Sequence, residues 1–215
     1  SVVINSGQTR SAEEFIAEGY QVIGLEVEGR PYPGQLVLQD VATLDGAQFA
    51  GAAAIVASPP CQAYSYRAMP WKRAKELPPP DNTLFDVCFR IQREASTAAG
   101  RYIPMVVENV CGAQRWVGRA AWHYGSYYLW GDVPALMPFR PCNDGLKHRD
   151  IEGYERNHPQ ALGWKTPRTS SHSPRRKEAS ALIAKIPYDL AAHIARCFYP
   201  RAAIERPTCR ELTAQ

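Results

Sequence analysis

The sequence predicts an α/β fold, a mostly parallel sheet with helices on both faces, and three observations predict it. Short apolar runs alternate with stretches of helical spacing through the first half of the chain. The run at 53–57 is apolar throughout rather than at every second position, and so are residues 105–107 ahead of Glu108, as strands buried on both faces are. Polar or reactive residues stand where the runs stop, namely Gly7, Glu26, Asp40, Cys61 and Glu108. Ligands of open parallel sheets bind at the carboxyl ends of the strands, so this placement bears on function as well as fold.

Taken in order, Val2, Val3 and Ile4 form a short strand, and residues 11–19 have helical spacing with Ala12, Phe15 and Ile16 on one face. Residues 21–26 are a second strand ending in Glu26, residues 35–41 a third carrying Asp40 near its end, and residues 53–57 a fourth. Residues 83–99 form a helix whose core stripe is Leu84, Val87, Cys88, Ile91 and Ala95. The strand at 105–110 follows. From 112 to about 180 the periodicity is lost among aromatic residues (Trp116, Trp122, Tyr124, Tyr127, Tyr128, Trp130), prolines, glycines and basic residues. Order returns in a helix at 183–198 with Ile186, Leu190, Ala191, Ile194 and Ala195 on one face. The expected divisions are therefore a core at 1–112, a small irregular region at 113–180, a helix at 181–200 returning to the core, and a frayed tail at 201–215.

The 215 residues suffice for one well-cored domain. Apolar content of 45% and charged content of 21% are ordinary for a globular protein. No apolar stretch approaches the ~18 residues of a membrane helix, and the first residues lack the pattern of a signal peptide, so a cytoplasmic location is expected. The six cysteines are scattered without a Cys-x-x-Cys pair, which argues against both disulfides and a structural zinc site. Cys142, His148 and His158 lack a fourth ligand, and no metal is expected. The net charge of +4 is unevenly placed. Arg156, Lys165, Arg168, Arg175, Arg176 and Lys177 occur with no acid among them, and Arg67, Lys72, Arg73 and Lys75 follow Cys61 closely. Such runs are either solvated loops or phosphate-contacting surface, and nearness to a reactive loop favours the second.

Cys61 follows Ser58, Pro59 and Pro60, whose rings prevent the strand from continuing. Glu108 lies within an apolar strand, where a carboxyl group is costly unless it has a use. A thiol on a strand-end loop together with a buried carboxylic acid suits attack on an electron-poor ring. Cytosine is such a ring. Its C5 is a poor nucleophile until a thiolate adds at C6, while an acid hydrogen-bonded at N3 accepts the developing charge.

These residues carry a resemblance. Pro60-Cys61-Gln62 with Ser65 resembles the catalytic motif of the DNA (cytosine-5) methyltransferases, and Glu108-Asn109-Val110 resembles that family's second signature. Between them, Asn82-Thr83-Leu84-Phe85 resembles the segment that cradles the methionine part of the cofactor. Order and spacing agree across roughly residues 1–112, most closely with compact phage- or prophage-type members. The resemblance implies a Rossmann-like S-adenosylmethionine-dependent methyltransferase fold with a small irregular target-recognition insertion. It implies transfer of a methyl group from S-adenosylmethionine to carbon 5 of a flipped-out cytosine in double-stranded DNA. Cys61 would be the nucleophile and Glu108 the acid, with Pro60, Gln62 and Asn109 completing the catalytic set. Glu26 would bind the cofactor ribose with Val27 beside it, and Asp40 the adenine amino group with Val41 against the ring. Gly7, Thr9, Pro59, Leu84 and Ile186 complete the implied cofactor site. Ser65, Arg67, Arg73, Arg115, Lys165, Arg168, Arg175 and Arg176 are the implied DNA contacts. The loop at 62–81 is a candidate lid over the base.

The sequence also departs from that pattern. The family's Phe-x-Gly-x-Gly loop reads Asn5-Ser6-Gly7-Gln8-Thr9-Arg10-Ser11, which keeps only Gly7. Ala184 stands where the final motif has asparagine, and residues 125–130 occupy the place of an arginine-rich motif, with Arg115 and Arg119 the candidates to stand in. Two other functions share most of these features: an RNA cytosine-5 methyltransferase, and a DNA-binding protein built on a degenerate methyltransferase. A nicotinamide oxidoreductase predicts a fuller glycine fingerprint than is present.

Overall fold

The computed structural model describes residues 1–5, 9–29, 31–70, 72–137 and 186–199, with side chains outside 3–11. Five strands run parallel: β1 (Val2–Asn5), β2 (Val22–Glu26), β3 (Gln35–Leu38), β4 (Ala54–Ala57) and β5 (Met105–Asn109). A hairpin of β6 (Trp122–Tyr124) and β7 (Tyr127–Gly131) adds two more, with β7 antiparallel to β5. The order across the seven-stranded sheet is β3-β2-β1-β4-β5-β7-β6. The fold is mixed α/β with a mostly parallel sheet. Its first five strands follow the 3-2-1-4-5 order of doubly wound sheets, which reverses direction between β1 and β4.

The apolar runs form central strands because both faces of the sheet are covered. In β4, Ile55 and Ala57 enter one core while Ala54 and Val56 enter the other. The first core is closed by α4 (Thr83–Ala99), through Phe85, Cys88, Ile91 and Ala95, together with Leu44 and Phe49 from two short 3-10 turns. The second is closed by α1 (Thr9–Ala17), through Ala12 and Phe15, and by α6 (Tyr188–Phe198), through Leu190, Ala191, Ile194 and Ala195. Each fully buried Leu, Ile or Phe contributes about 1.5–3 kcal/mol. Tyr20 donates from its hydroxyl to the Ala195 carbonyl at 2.8 Å, and Arg196 meets Glu18 at 2.8 Å, so the two helices of this layer are joined by polar contacts as well.

The last helix begins at Tyr188 rather than 183, with Ile186 and Pro187 ahead of it, and the other expected elements stand close to where sequence periodicity put them, with four differences. Leu84 is exposed and Phe85 takes its core place, because the first turn of α4 overhangs the carboxyl edge of the sheet. Ile16 is likewise exposed, near the end of α1. The third strand stops at Leu38, since Asp40 caps a 3-10 turn through the Ala42 amide at 2.9 Å. The fourth difference is a correction to the expected boundary at 112. Val106, Val107, Glu108 and Asn109 pair with Gly131, Trp130, Leu129 and Tyr128, so the sheet and its core continue to Gly131. Gly131 has φ +83°, and a Cβ there would lie 2.3 Å from the Met105 carbonyl oxygen, a contact only glycine allows. Residues 138–185, which hold most of the expected irregular region, and the tail at 201–215 lie outside the described residues. Among the described residues no helix is long and apolar enough to cross a membrane.

Arg90 joins α4 to the segment after β3. Its guanidinium donates to the carbonyls of Leu44 (2.8 Å), Val41 (3.1 Å) and Ala42 (3.3 Å) and to Glu94 at 2.9 Å, while Glu94 also accepts from the Gly46 amide at 2.7 Å. The Gly46 amide, and after it Arg90, hold the Glu94 carboxyl below the usual carboxylate range. A lowered folded-state value stabilises the fold above the unfolded-state value, and that contribution is lost as pH falls through the folded value. Glu94→Gln should therefore unfold at lower urea than the parent at neutral pH. The gap should close as pH falls below the usual carboxylate range, as urea midpoints measured across an acid series would show.

Candidate functional site

β4 and β5 are neighbours in parallel register, with Ala57 opposite Val107, so the residues just beyond them meet at the carboxyl edge of the sheet. Ser58, Pro59 and Pro60 carry the chain out of β4 to Cys61, which is half-buried and opens α2 (Gln62–Arg67) without capping it through its side chain. Glu108 and Asn109 end β5, 8% and 1% exposed. The Asn109 amide donates to the Pro59 carbonyl at 3.0 Å, and its side-chain oxygen accepts from the Val110 amide at 2.9 Å. One buried side chain thus joins the loop that bears Cys61 to the strand that bears Glu108. Pro59 is buried and Pro60 and Gln62 are exposed on that loop.

The segments that follow pack closely. A Cβ on Gly112 would stand 3.0 Å from both the Ala68 Cβ and the Tyr64 carbonyl oxygen, so α2 rests directly on the chain leaving β5. Tyr64 is buried, and its hydroxyl donates to Asn82 at 3.0 Å. Burial, and after it Asp86, pushes the Tyr64 hydroxyl up, which keeps the donor protonated. Asn82 in turn donates to the Trp116 carbonyl at 3.3 Å in α5 (Gln114–Val117), linking α2, α4 and α5. Beside them lies a groove of about 340 Å³ lined by Ser65, Ala68, Val110, Cys111, Gly112, Gly125, Ser126 and Tyr128. Cys61 and Glu108 are not in that lining. They precede two of its walls in sequence.

A second group of expected residues stands further along the same edge. Glu26 ends β2, is 8% exposed, and lies close enough to Tyr32 to raise its hydroxyl, after burial as the larger cause. Val27 is exposed, as is Leu38 at the end of neighbouring β3, and Gln39 donates its amide to the Glu26 carbonyl at 2.9 Å. Asp40 is exposed and Val41 half-buried in the segment held by Arg90. Leu84 is exposed at the start of α4, and Ile186 is buried just before α6. The edge thus offers a buried carboxylate, an exposed carboxylate and exposed apolar side chains, a donor set suited to a ribose, an amino-bearing base and an aliphatic chain. Thr9 opens α1, and Gly7 lies outside the described residues.

Of the expected polynucleotide contacts, Ser65 lines the groove, Arg73 is exposed on α3 (Lys72–Lys75), and Arg115 is exposed with its guanidinium 5.2 Å from the Trp116 ring centroid. Arg67 is largely committed elsewhere, donating to the carbonyls of Pro78 at 2.7 Å and Ala63 at 2.8 Å. It fixes the segment at 62–81, expected as a lid, into two short helices and their connection. Lys165, Arg168, Arg175 and Arg176 lie outside the described residues, as do Cys142, His148 and His158. No group of His, Cys, Asp or Glu among the described residues could hold a metal ion. Sequence reasoning missed Arg90, Tyr64 and the bonds that Asn82 makes to Tyr64 and Trp116, whose partners are distant in sequence, and the groove itself. No family model and no curated protein matches the chain.

Asn109→Ala removes a buried donor and leaves the Pro59 carbonyl unsatisfied, a loss of about 1–3 kcal/mol. Urea unfolding should register that loss. Faster alkylation of Cys61 under native conditions should accompany it, read by mass spectrometry of the tryptic peptide.

Proposed function

We propose that the protein is a cytosine-5 methyltransferase acting on DNA, with Cys61 as nucleophile and Glu108 as the acid at N3. The observation that carries this reading is the join between the two strand ends through Asn109 and Pro59, which ties the loop that bears Cys61 to the strand that bears the buried Glu108. The order of strands supports it by giving the sheet the topology of nucleotide-binding α/β proteins, with the site at the carboxyl edge. The Rossmann-like methyltransferase fold belongs to the same proposal.

Bond by bond, the Cys61 thiolate adds to C6 of a cytosine standing out of the base stack. The C5=C6 electron pair moves into the ring, and Glu108 in its acid form hydrogen-bonds N3 and offsets the charge gathered there. C5 thereby becomes nucleophilic. S-adenosylmethionine, when bound, supplies an electrophilic methyl group; Glu26, Asp40, Val27, Val41, Leu84 and Ile186 are the residues that would hold it. Loss of the C5 proton to a base then expels the Cys61 thiolate and restores the aromatic ring. Asn109 positions both reacting groups and itself takes no part in bond making.

The test is transfer of a tritiated methyl group from S-adenosylmethionine to a mixed-sequence DNA pool, with nucleoside analysis of the product. The expected product is 5-methylcytosine. Cys61→Ala should abolish it, and Glu108→Gln should lower the rate by a factor of about 10²–10⁴ while leaving the thermal melt near that of the parent. Methylation of RNA alone would move the substrate to RNA. Undiminished transfer by Cys61→Ala would remove the mechanism.

A further inference from the structure

The hairpin that completes the sheet carries a row of rings. His123 and Tyr128 face each other across β6 and β7 and are stacked, with centroids 5.1 Å apart and planes 23° apart. Trp122 continues the row at 6.4 Å from His123, its plane within 20°, and is 42% exposed on the outermost strand. Near-parallel rings on an edge strand are unlike the edge-on pairs inside this protein, such as Phe85 with Trp130 at 86°.

Tyr128 also lines the groove of about 340 Å³, so the row of rings continues from that groove. Ser126, in the turn of the hairpin, lines the groove too, and its buried hydroxyl has no hydrogen-bond partner among the described residues. The charge around the groove has one sign. Residues 62–75 carry Arg67, Lys72, Arg73 and Lys75, residues 110–131 carry Arg115 and Arg119, and neither stretch holds an acid. Among the described residues, Lys72 alone of these has an ion pair, with Glu76 at 3.8 Å. Stacked rings, a hydroxyl awaiting a partner and a positive frame together fit a base attached to a phosphate backbone.

We propose that the groove and its aromatic wall bind an unpaired nucleobase of a single polynucleotide strand. The base stacks on the row formed by Tyr128, His123 and Trp122, Ser126 bonds its edge, and Arg115 and Arg119 hold the backbone. This deepens the proposed function, on which it rests for the identity of the polymer. It makes the substrate a strand with unstacked bases rather than an intact duplex. Stacking on rings is tolerant of sequence, since every base has a π face, so this surface supplies affinity rather than choice of site.

The experiment is fluorescence anisotropy of labelled short oligonucleotides with the full chain and no S-adenosylmethionine. It compares a DNA strand, an RNA strand and a DNA duplex, all of mixed sequence, the two single strands containing no cytosine. The expected result is tighter binding to a single strand than to the duplex, with the DNA and RNA arms showing which polymer is held. The double substitution Trp122→Ala with His123→Ala should weaken single-strand binding about tenfold or more, and Trp122→Phe should keep most of the affinity. Thermal melts establish that each variant is folded. Tighter binding to the duplex, no binding to either single strand, or unchanged affinity in the folded double variant overturns the proposal. The strands contain no cytosine, so failure of methyl transfer with this binding intact would count against the proposed reaction alone.

Discussion

The hydrogen bond from Asn109 to the carbonyl of Pro59 is the constraint on which the site depends. Parallel pairing alone sets β4 and β5 side by side as far as Ala57 and Val107, and beyond that point the backbones diverge. Two prolines take the chain out of the ladder, and without a cross-link the loop that carries Cys61 would have no fixed distance to Glu108. A buried amide supplies the link in two directions, donating to one loop and accepting from the amide of Val110 on the other. Both bonds are made in a setting that is 1% exposed, where an unmade bond is costly. That cost is what keeps the two loops together.

Around this link the protein places flexible chemistry on rigid supports. The strands that deliver Glu26, Cys61 and Glu108 are among the best buried parts of the molecule, and these groups stand at the strand ends or just past them. The first 3-10 turn after β3 has no buried residue of its own, and Arg90 from α4 bonds the carbonyl groups of Val41, Ala42 and the following Leu44. The helix after Cys61 is supported by Gly112 below it and by Tyr64 reaching Asn82 beside it. Two of these supports, Arg90 and Asn82, belong to α4 and its N-terminus. A displacement of α4 or of the chain leaving β5 would therefore reach the candidate cofactor edge and the thiol loop together.

Much of this was legible in the sequence, and the reason is burial. Residues 83–99 form a helix over that span because one stripe is apolar and Gly100, at φ +63°, closes it in a conformation glycine adopts without strain. Strands β4 and β5 were legible because consecutive apolar residues, all four of β4 and the first three of β5, have few uses other than a doubly covered strand. The hairpin was missed although its signal was present: Gly125 and Ser126 separate two aromatic runs by two residues, a hairpin spacing. Tyrosine and tryptophan concealed it, since they suit a strand, a surface or an irregular packing equally well. The links made by Asn82, Arg90 and Arg67 could not be read, because a polar side chain bonded to a distant carbonyl leaves no periodic trace. The thiol and the acid stand at the strand ends where the sequence put them, and their chemical roles belong to the proposal.

The most direct measurement of the central claim is the intact mass of the protein after incubation with S-adenosylmethionine and DNA in which cytosine is replaced by 5-fluorocytosine. Fluorine cannot leave C5 as a cation, so the last step of the proposed reaction is blocked and the thiol stays bonded to C6. The account predicts a protein–DNA adduct that requires S-adenosylmethionine and maps to Cys61 on digestion. An adduct at another cysteine, or none from a preparation that transfers methyl groups to unmodified DNA, would contradict it.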